Sequence, residues 1–309
     1  MRSISQSDAQ MNNHDLNIFA TAARLGSITK AAKSLATVQS NVTTRIRLLE
    51  DELGVQLFYR NHAGINLTRK GHELLPYAQQ MVALVQKAKE TVSNNKEVHG
   101  ILRIGSLQTT AAARLPEVLK DYVAKYNKVD IAVETGTAAE LTERVLDYRV
   151  DGAFVAGPVD HPELNSVLAF VEEVVLVTPV AYRTVEEYLA KGPVPKVLVF
   201  KVGCFYRNML EGYLSEEGID LLNQLEIGTL EGIIGCVSAG LGITMLPRSV
   251  VERTTRRKQV RIHELPKKVS RVETLFITHK AQVRSSALER LIEVIVAGRP
   301  DNAAESVAA

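Results

Sequence analysis

Between Gly26 and Glu50 two short amphipathic patterns stand a tight turn apart, and few packings satisfy both. Ile28, Ala31, Ala32 and Leu35 fall on one face of a first helix, and Val42, Ile46 and Leu49 recur at spacings of four and three on a second. The small Ala31 and Ala32 let the helices cross closely. Ser27 is placed to cap the first helix. Thr37, after the stop at Leu35-Ala36, is placed to cap the second by accepting from first-turn N–H groups. Between its apolar positions the second helix carries Gln39, Ser40, Asn41, Thr43, Thr44 and Arg45, side chains that reach base edges when a helix N-terminus enters a major groove. This is the layout of a helix-turn-helix, and its expected partner is double-stranded DNA. The competing reading is the polar face of an ordinary surface helix.

The residues beyond Glu52 favour DNA binding. Two short β-like segments flank a turn from Asn61 to Gly64, the form of a wing, which brings Arg60, His62, Arg69 and Lys70 beside a groove. The net charge of the 309 residues is only +2, yet residues 12 to 71 hold eight Lys/Arg against four Asp/Glu, while the remainder is slightly acidic. Positive charge is concentrated where a phosphate backbone would lie.

The run from Leu16 to Leu75, with Phe19, Gly26-Ser27, Ala31-Ala32, Leu35, Gln39, Ile46, Leu49-Glu50, Leu53-Gly54, Leu57-Phe58, Arg60, Leu67-Thr68 and Gly71, resembles the winged helix-turn-helix of LysR-type transcriptional regulators. One stretch departs from that family. Where its members usually show Ser-Gln-Pro-Ala and a later Ser-Arg, this chain has Val38-Gln39-Ser40-Asn41 and Thr43-Thr44. The departure bears on base preference and leaves the fold untouched. Candidate base contacts are Gln39, Ser40, Asn41 and Thr43; candidate phosphate or wing contacts are Ser27, Thr37, Arg45, Arg60, His62 and Thr68.

From Thr68 through Val92 apolar residues return every three or four positions (Leu74, Leu75, Ala78, Met81, Val82, Val85, Ala88, Val92), which predicts a helix of about six turns. A stripe that long, with a period near 3.5, argues for pairing with a second copy, although packing on its own domain is the alternative. Pro76 should remove a hydrogen bond and bend the helix. Beyond Gly100 strands and helices alternate: Ile101–Gly105, Leu115–Tyr126, Val129–Glu134, Ala138–Tyr148 and Gly152–Ala156, then a second series from Val174 to Ala239, with Thr274–Thr278 and Ser285–Val296 at the end. Such alternation implies α/β lobes with a mainly parallel sheet and a cleft between them. The motifs Gly100 to Gly105, Leu115-Pro116, Leu141 to Asp151 and Val237 to Pro247 resemble the effector-binding domain of the same family, itself similar to periplasmic solute-binding proteins.

The expected organisation is therefore α/β overall. An N-terminal extension (1–11) precedes a winged helix-turn-helix at 12–70, with the helix-turn-helix at about 28–47, and a linker helix and hinge at 71–99. A two-lobed periplasmic-binding-protein-like effector domain follows at 100–300, with lobe I at about 100–172 plus 272–300 and lobe II at about 173–271, before a tail at 301–309. Ligands in open α/β sheets sit at the carboxyl ends of strands, where helix N-termini offer free N–H groups. Those ends carry Ser106, Gln108, Thr109 and Thr110; Gly136 and Thr137; Cys204, Phe205, Tyr206 and Arg207; and Thr229. Hydroxyls, amides and one Arg suit a small carboxylate.

Cys204 raises an alternative, because peroxide-sensing members of the family carry a reactive cysteine in this region. A helix N-terminus and Arg207 would lower its pKa, but Cys236 is distant in sequence. An α/β enzyme is the other alternative, against which stands the absence of GxSxG, Walker, post-strand GxGxxG and metal-spaced His motifs. His72, His99, His161, His263 and His279 read as solvated. No catalytic residue, metal or cofactor is expected. Neither a signal peptide nor a membrane-crossing run is visible, so the expectation is a cytoplasmic, ligand-responsive regulator, dimeric through the linker helix or tetrameric.

Overall fold

The computed structural model describes residues 11–61, 64–92, 97–191, 196–216, 218 and 223–298. The expected N-terminal extension up to residue 10, His62, hinge residues 93–96 and the tail from 301 lie outside the described residues, as does the side chain of Arg60.

The N-terminal unit comprises α1 (Asn13–Leu25), α2 (Ile28–Ser34), α3 (Gln39–Leu53), β1 (Phe58–Asn61), β2 (Gly64–Leu67) and α4 (Arg69–Val92). Each start has a local cause. Asn12 caps α1 by accepting from Asp15 N, and Ser27 caps α2 by accepting from Lys30 N. Leu16, Phe19, Ala31, Ala32, Val42, Ile46 and Leu49 make one core with Leu57, Phe58, Leu75 and Ala78. The wing is the antiparallel pair β1–β2, and β2 docks by a bond from Ile65 N to Gly26 O. Gly64 has φ +138°, and a Cβ there would stand 2.5 Å from the Gly26 carbonyl, so a glycine is required.

α4 continues through Pro76 without interruption. Its first turns, at Leu75 and Ala78, are buried in the unit's own core, so the expected self-pairing stripe is split. Tyr77, Met81, Leu84 and Val92 are the large apolar side chains of α4 left exposed, while Val82 and Val85 are half-buried.

The second unit begins with β3 (Gly100–Ser106), α5 (Gln108–Ala113), α6 (Leu115–Lys125), β4 (Val129–Thr135), α7 (Ala138–Leu146) and β5 (Gly152–Ala156). β6 (Leu164–Pro179), α8 (Val185–Lys191), β7 (Lys196–Val199), α9 (Phe205–Glu216), β8 (Asn223–Glu226), α10 (Leu230–Ser238) and β9 (Thr244–Pro247) follow. α11 (Arg248–Arg253), a 3₁₀ turn (Arg257–Gln259), β10 (Val260–His263), α12 (Lys267–Ser270), β11 (Arg271–His279) and α13 (Ser286–Ala297) complete it.

Lobe I is built on the strand order β4-β3-β5-β11-β6, in which only β3–β4 and β3–β5 are parallel. β6 pairs with β11 up to Glu173 and, from Val174, passes into lobe II, where it pairs antiparallel with β9 and β10. β7 and β8 are parallel, with a parallel bridge from Val197 to Ile243. The expected mainly parallel sheet is thus corrected. The βαβ alternation holds for β3 to β5, but β11 returns antiparallel between β5 and β6, and β9 and β10 pair antiparallel with the lobe II half of β6. β5 (GAFVA) is buried throughout because it is covered on both faces.

The polar residues in the first half of β6, the basic run around β10, and the short α5, α11 and α12 hid those elements from pattern reading. His279, read as solvated, is buried in β11, and His263 is half-buried with Thr178 Oγ1 at 2.7 Å from its Nε2. Burial lowers the pKa of both. No helix among the described residues is long and apolar enough to cross a membrane.

Candidate recognition helix and interlobe cleft

α3 begins one residue later than the capping argument placed it. Val38 takes the extended N-cap position, with no side-chain hydrogen bond to the first turn. Thr37 accepts instead from Asn41 Nδ2 at 3.0 Å, because the three-residue link after Leu35 carries its hydroxyl past the backbone donors. The first-turn N–H groups of α3 are therefore left uncapped by side chains and open to an incoming anion.

Gln39, Ser40 and Thr44 are exposed, while Asn41 and Thr43 are half-buried. Arg45 leans to Asp15 at 3.5 Å and is partly committed there. Ser27 is spent as a cap. Thr68 is buried, donates to Gln56 O at 2.7 Å and accepts from Gly71 N at 3.0 Å. It starts α4 and has no free surface for a phosphate, which corrects its expected role.

Arg47, an exposed neighbour, escaped the sequence reading, and Val38, noted there only within the departure from the family, is 64% exposed. Glu50, a conspicuous family position, proves internal: Oε1 accepts from Leu57 N at 2.8 Å and Phe58 N at 3.2 Å, fixing the wing to the end of α3.

In the second unit a cavity of about 120 Å³ lies between the lobes. Lobe I contributes Leu107, Gln108, Thr109, Thr135, Gly136, Thr137 and Glu140, and lobe II contributes Phe200, Lys201, Cys204, Phe205, Tyr206 and Gly228. Seven of the eleven candidate residues are among them: Gln108, Thr109, Gly136, Thr137, Cys204, Phe205 and Tyr206. Four are not. Ser106 is fully buried with its Oγ donating to Leu107 O, and Thr110 is buried in α5. Arg207 is turned away into a network with Glu211, Gln224, Glu226 and the Phe200 carbonyl. Thr229 caps α10 by accepting from Gly232 N. Position along a strand end was legible, but the direction of each side chain was not. That is also why Lys201 and Glu140, the charged side chains that do line the cavity, were missed.

The helix N-termini around the cavity are already served. Thr137 and Glu140 form a reciprocal capping box on α7, with Thr137 N to Glu140 Oε2 at 2.9 Å and Glu140 N to Thr137 Oγ1 at 3.2 Å. Gln108 Oε1 accepts from Leu230 N of α10, and the backbone N–H groups of Tyr206 and Arg207 at the start of α9 favour the thiolate of Cys204. Burial nevertheless raises the Cys204 pKa, outweighing those donors and Arg207, and so reverses the expected lowering.

Thr109 Oγ1 and Tyr206 Oη, from opposite lobes, are buried with no partner at hydrogen-bonding geometry, although the hydroxyls are near enough for Thr109 to favour the phenolate. Burial, and then the charge of Glu172, raises the Tyr206 pKa. Phe205 closes one wall, where Gly157 (φ +87°) leaves its ring the room that a Cβ would take. Glu172 on β6 is held by Arg114 through bonds of 2.7 and 3.0 Å and by Ser249 Oγ of α11 at 2.9 Å, which ties the lobes beside the cleft.

Comparison with known proteins agrees with this architecture. The model of the LysR substrate-binding domain matches residues 95–299, and that of the lysR-family bacterial regulatory helix-turn-helix protein matches residues 13–72. The uncharacterized HTH-type transcriptional regulator YusT of Bacillus subtilis is 43% identical over 283 residues, covering 92% of this chain and 95% of its own. The HTH-type transcriptional regulator GltR of the same organism is 40% identical over 282 residues, covering 91% and 95%. Among solved structures, a full-length OxyR variant from Pseudomonas aeruginosa aligns with a TM-score of 0.76 at 20% identity over 93% of this chain and 95% of that one. CbnR in complex with its target DNA aligns at 0.58 and 20% identity over 93% and 99%. These two share the fold. The family models and the curated relatives together show that this chain belongs to the LysR family of bacterial transcriptional regulators.

Proposed function

We propose that this regulator binds DNA through α3 and the wing as a homodimer joined along α4, in a dimer or tetramer whose geometry a small organic anion controls from the interlobe cleft. Gln39, Ser40 and the exposed methyls of Val38 suit base edges and thymine methyls. The uncapped start of α3, with Arg47 and the basic residues of the wing, suits phosphates. The exposed Tyr77, Met81, Leu84 and Val92 supply the pairing stripe. Acting on chromosomal DNA, the protein works in the cytoplasm.

The observation that carries the effector reading is the pair of buried hydroxyls of Thr109 and Tyr206, on cavity-lining residues of opposite lobes, that find no partner at hydrogen-bonding geometry. An unpaired buried hydroxyl costs roughly 1–3 kcal/mol, which a ligand oxygen bonded to both would offset. The volume is near the ~150 Å³ of a cavity that accepts one benzene ring, which limits the ligand to a small molecule unless the lobes move. Lys201 supplies positive charge, and an anion must compete with Glu140 and Gln108 for the helix N-termini.

The test is calorimetric titration of the full chain with a panel of small carboxylates, repeated on Thr109→Val with Tyr206→Phe. The expected result is heat from at least one member and at least tenfold weaker binding in the double variant. Heat from none, or equal affinity in both proteins, overturns the reading.

A further inference from the structure

We propose that Gln108 is a latch across the rim of the cleft, holding the ligand-free lobes together so that entry to the cavity requires its release. The proposal rests on the cleft being an effector site and concerns how that site is opened. Gln108 begins α5 in lobe I, and both ends of its carboxamide are bonded to the backbone of lobe II: Nε2 donates to Gly228 O at 2.9 Å and Oε1 accepts from Leu230 N at 3.2 Å. One side chain thus imitates a strand neighbour, taking a donor and an acceptor two residues apart. The receiving segment is preshaped, because Thr229 between them is extended and turns its own hydroxyl to Gly232 N.

The Leu230 N–H belongs to the first turn of α10 and has no acceptor within its helix. Gln108 therefore occupies a position that an anionic oxygen would take more strongly. A ligand oxygen arriving there displaces Oε1, so entry and unlatching become one event.

The latch is made for exchange. Gln108 is half-buried while Gly228 and Thr229 are exposed, so water can replace its bonds. Other interlobe ties are ionic: Arg114–Glu172–Ser249 centres on a carboxylate 4% exposed, Arg248 of α11 pairs with Glu173 of β6 at 2.7 Å, and Arg253–Glu117 is an exposed ion pair at 2.6 Å between α11 and α6.

The cavity contains its own reporter. The thiol of Cys204 lines it and is buried, while Cys236, half-buried in a separate core of lobe II, serves as control. The experiment alkylates the full-length protein with iodoacetamide at one pH and follows each cysteine by mass spectrometry. In Gln108→Ala, Cys204 should react several-fold faster than in the parent with Cys236 unchanged. Gln108→Glu, which keeps the acceptor and loses the donor, should fall between. An unchanged Cys204 rate overturns the latch, as does an equal rise at both cysteines, which is general loosening. Alkylation needs no ligand, so the two failures are distinguishable: a cleft that binds none of the carboxylates removes the latch's role in ligand entry, while an unchanged Cys204 rate removes the latch itself.

Discussion

Gln39 and Asn41 stand two positions apart on α3, and the structure gives them different freedom. Gln39 is exposed with both ends of its amide available, whereas Asn41 is half-buried and already gives one Nδ2 hydrogen to Thr37. A bidentate grip on a base needs a donor and an acceptor presented together, so Gln39 is the stronger candidate for the proposed base contact. Gln39→Ala is expected to weaken binding to the operator by roughly 1–3 kcal/mol while sparing affinity for random duplex, measured by fluorescence anisotropy at fixed salt. An equal loss on both duplexes would move Gln39 to a positioning role. The family departure at Val38 to Thr44 thus narrows to the exposed subset Val38, Gln39, Ser40 and Thr44.

α4 serves its own domain with one end and, in the proposed dimer, a second copy with the other. Leu75 and Ala78 belong to the core of the N-terminal unit, and the open stripe at Tyr77, Met81, Leu84 and Val92 lies at spacings of four, three and eight along the helix. A charge in the middle of that stripe should break pairing without unfolding the domain. Leu84→Asp, 58% exposed in the single chain, is expected to shift the protein towards monomer in sedimentation velocity with its helical circular dichroism retained. An unchanged assembly would place the interface elsewhere.

The helix itself was legible from Thr68 to Val92 because twenty-odd residues of one period leave little ambiguity, but which residues face inward was not. Val82 and Val85 share that period with Leu75 and Ala78, and tertiary packing, chiefly against α1, separates buried from open. The same limit applies at the cleft. Strand ends and helix starts were visible in the chain, which is why Thr109, Thr137 and Tyr206 were found. Whether Arg207 turns inward depends on Gln224 and Glu226, brought by β8 from a distant part of the chain, as well as on Glu211 one turn along its own helix α9.

For the whole effector-binding unit, one carboxylate carries much of the connection between lobes. Glu172, 4% exposed, accepts from Arg114 of lobe I and Ser249 of lobe II. Removing the guanidinium leaves a buried charge with a single hydroxyl for company. Arg114→Ala should therefore destabilise the unit by roughly 3–5 kcal/mol, read as a lowered urea midpoint, and much of that should return in Arg114→Ala with Glu172→Gln. Failure of the second change to restore stability would show that packing by the arginine stem, including its stacking over Phe170, is the larger effect.

The course of β6 has a separate consequence. Glu173 and Arg271 are register partners on neighbouring strands, and everything between them belongs to lobe II. In the language of gene architecture, lobe II is an insertion whose entry and exit lie side by side in a hairpin. Lengthening or replacing it leaves the sheet of lobe I with the same neighbours, so ligand preference can diverge within one half of the cleft while the half continuous with the DNA-reading segment stays the same.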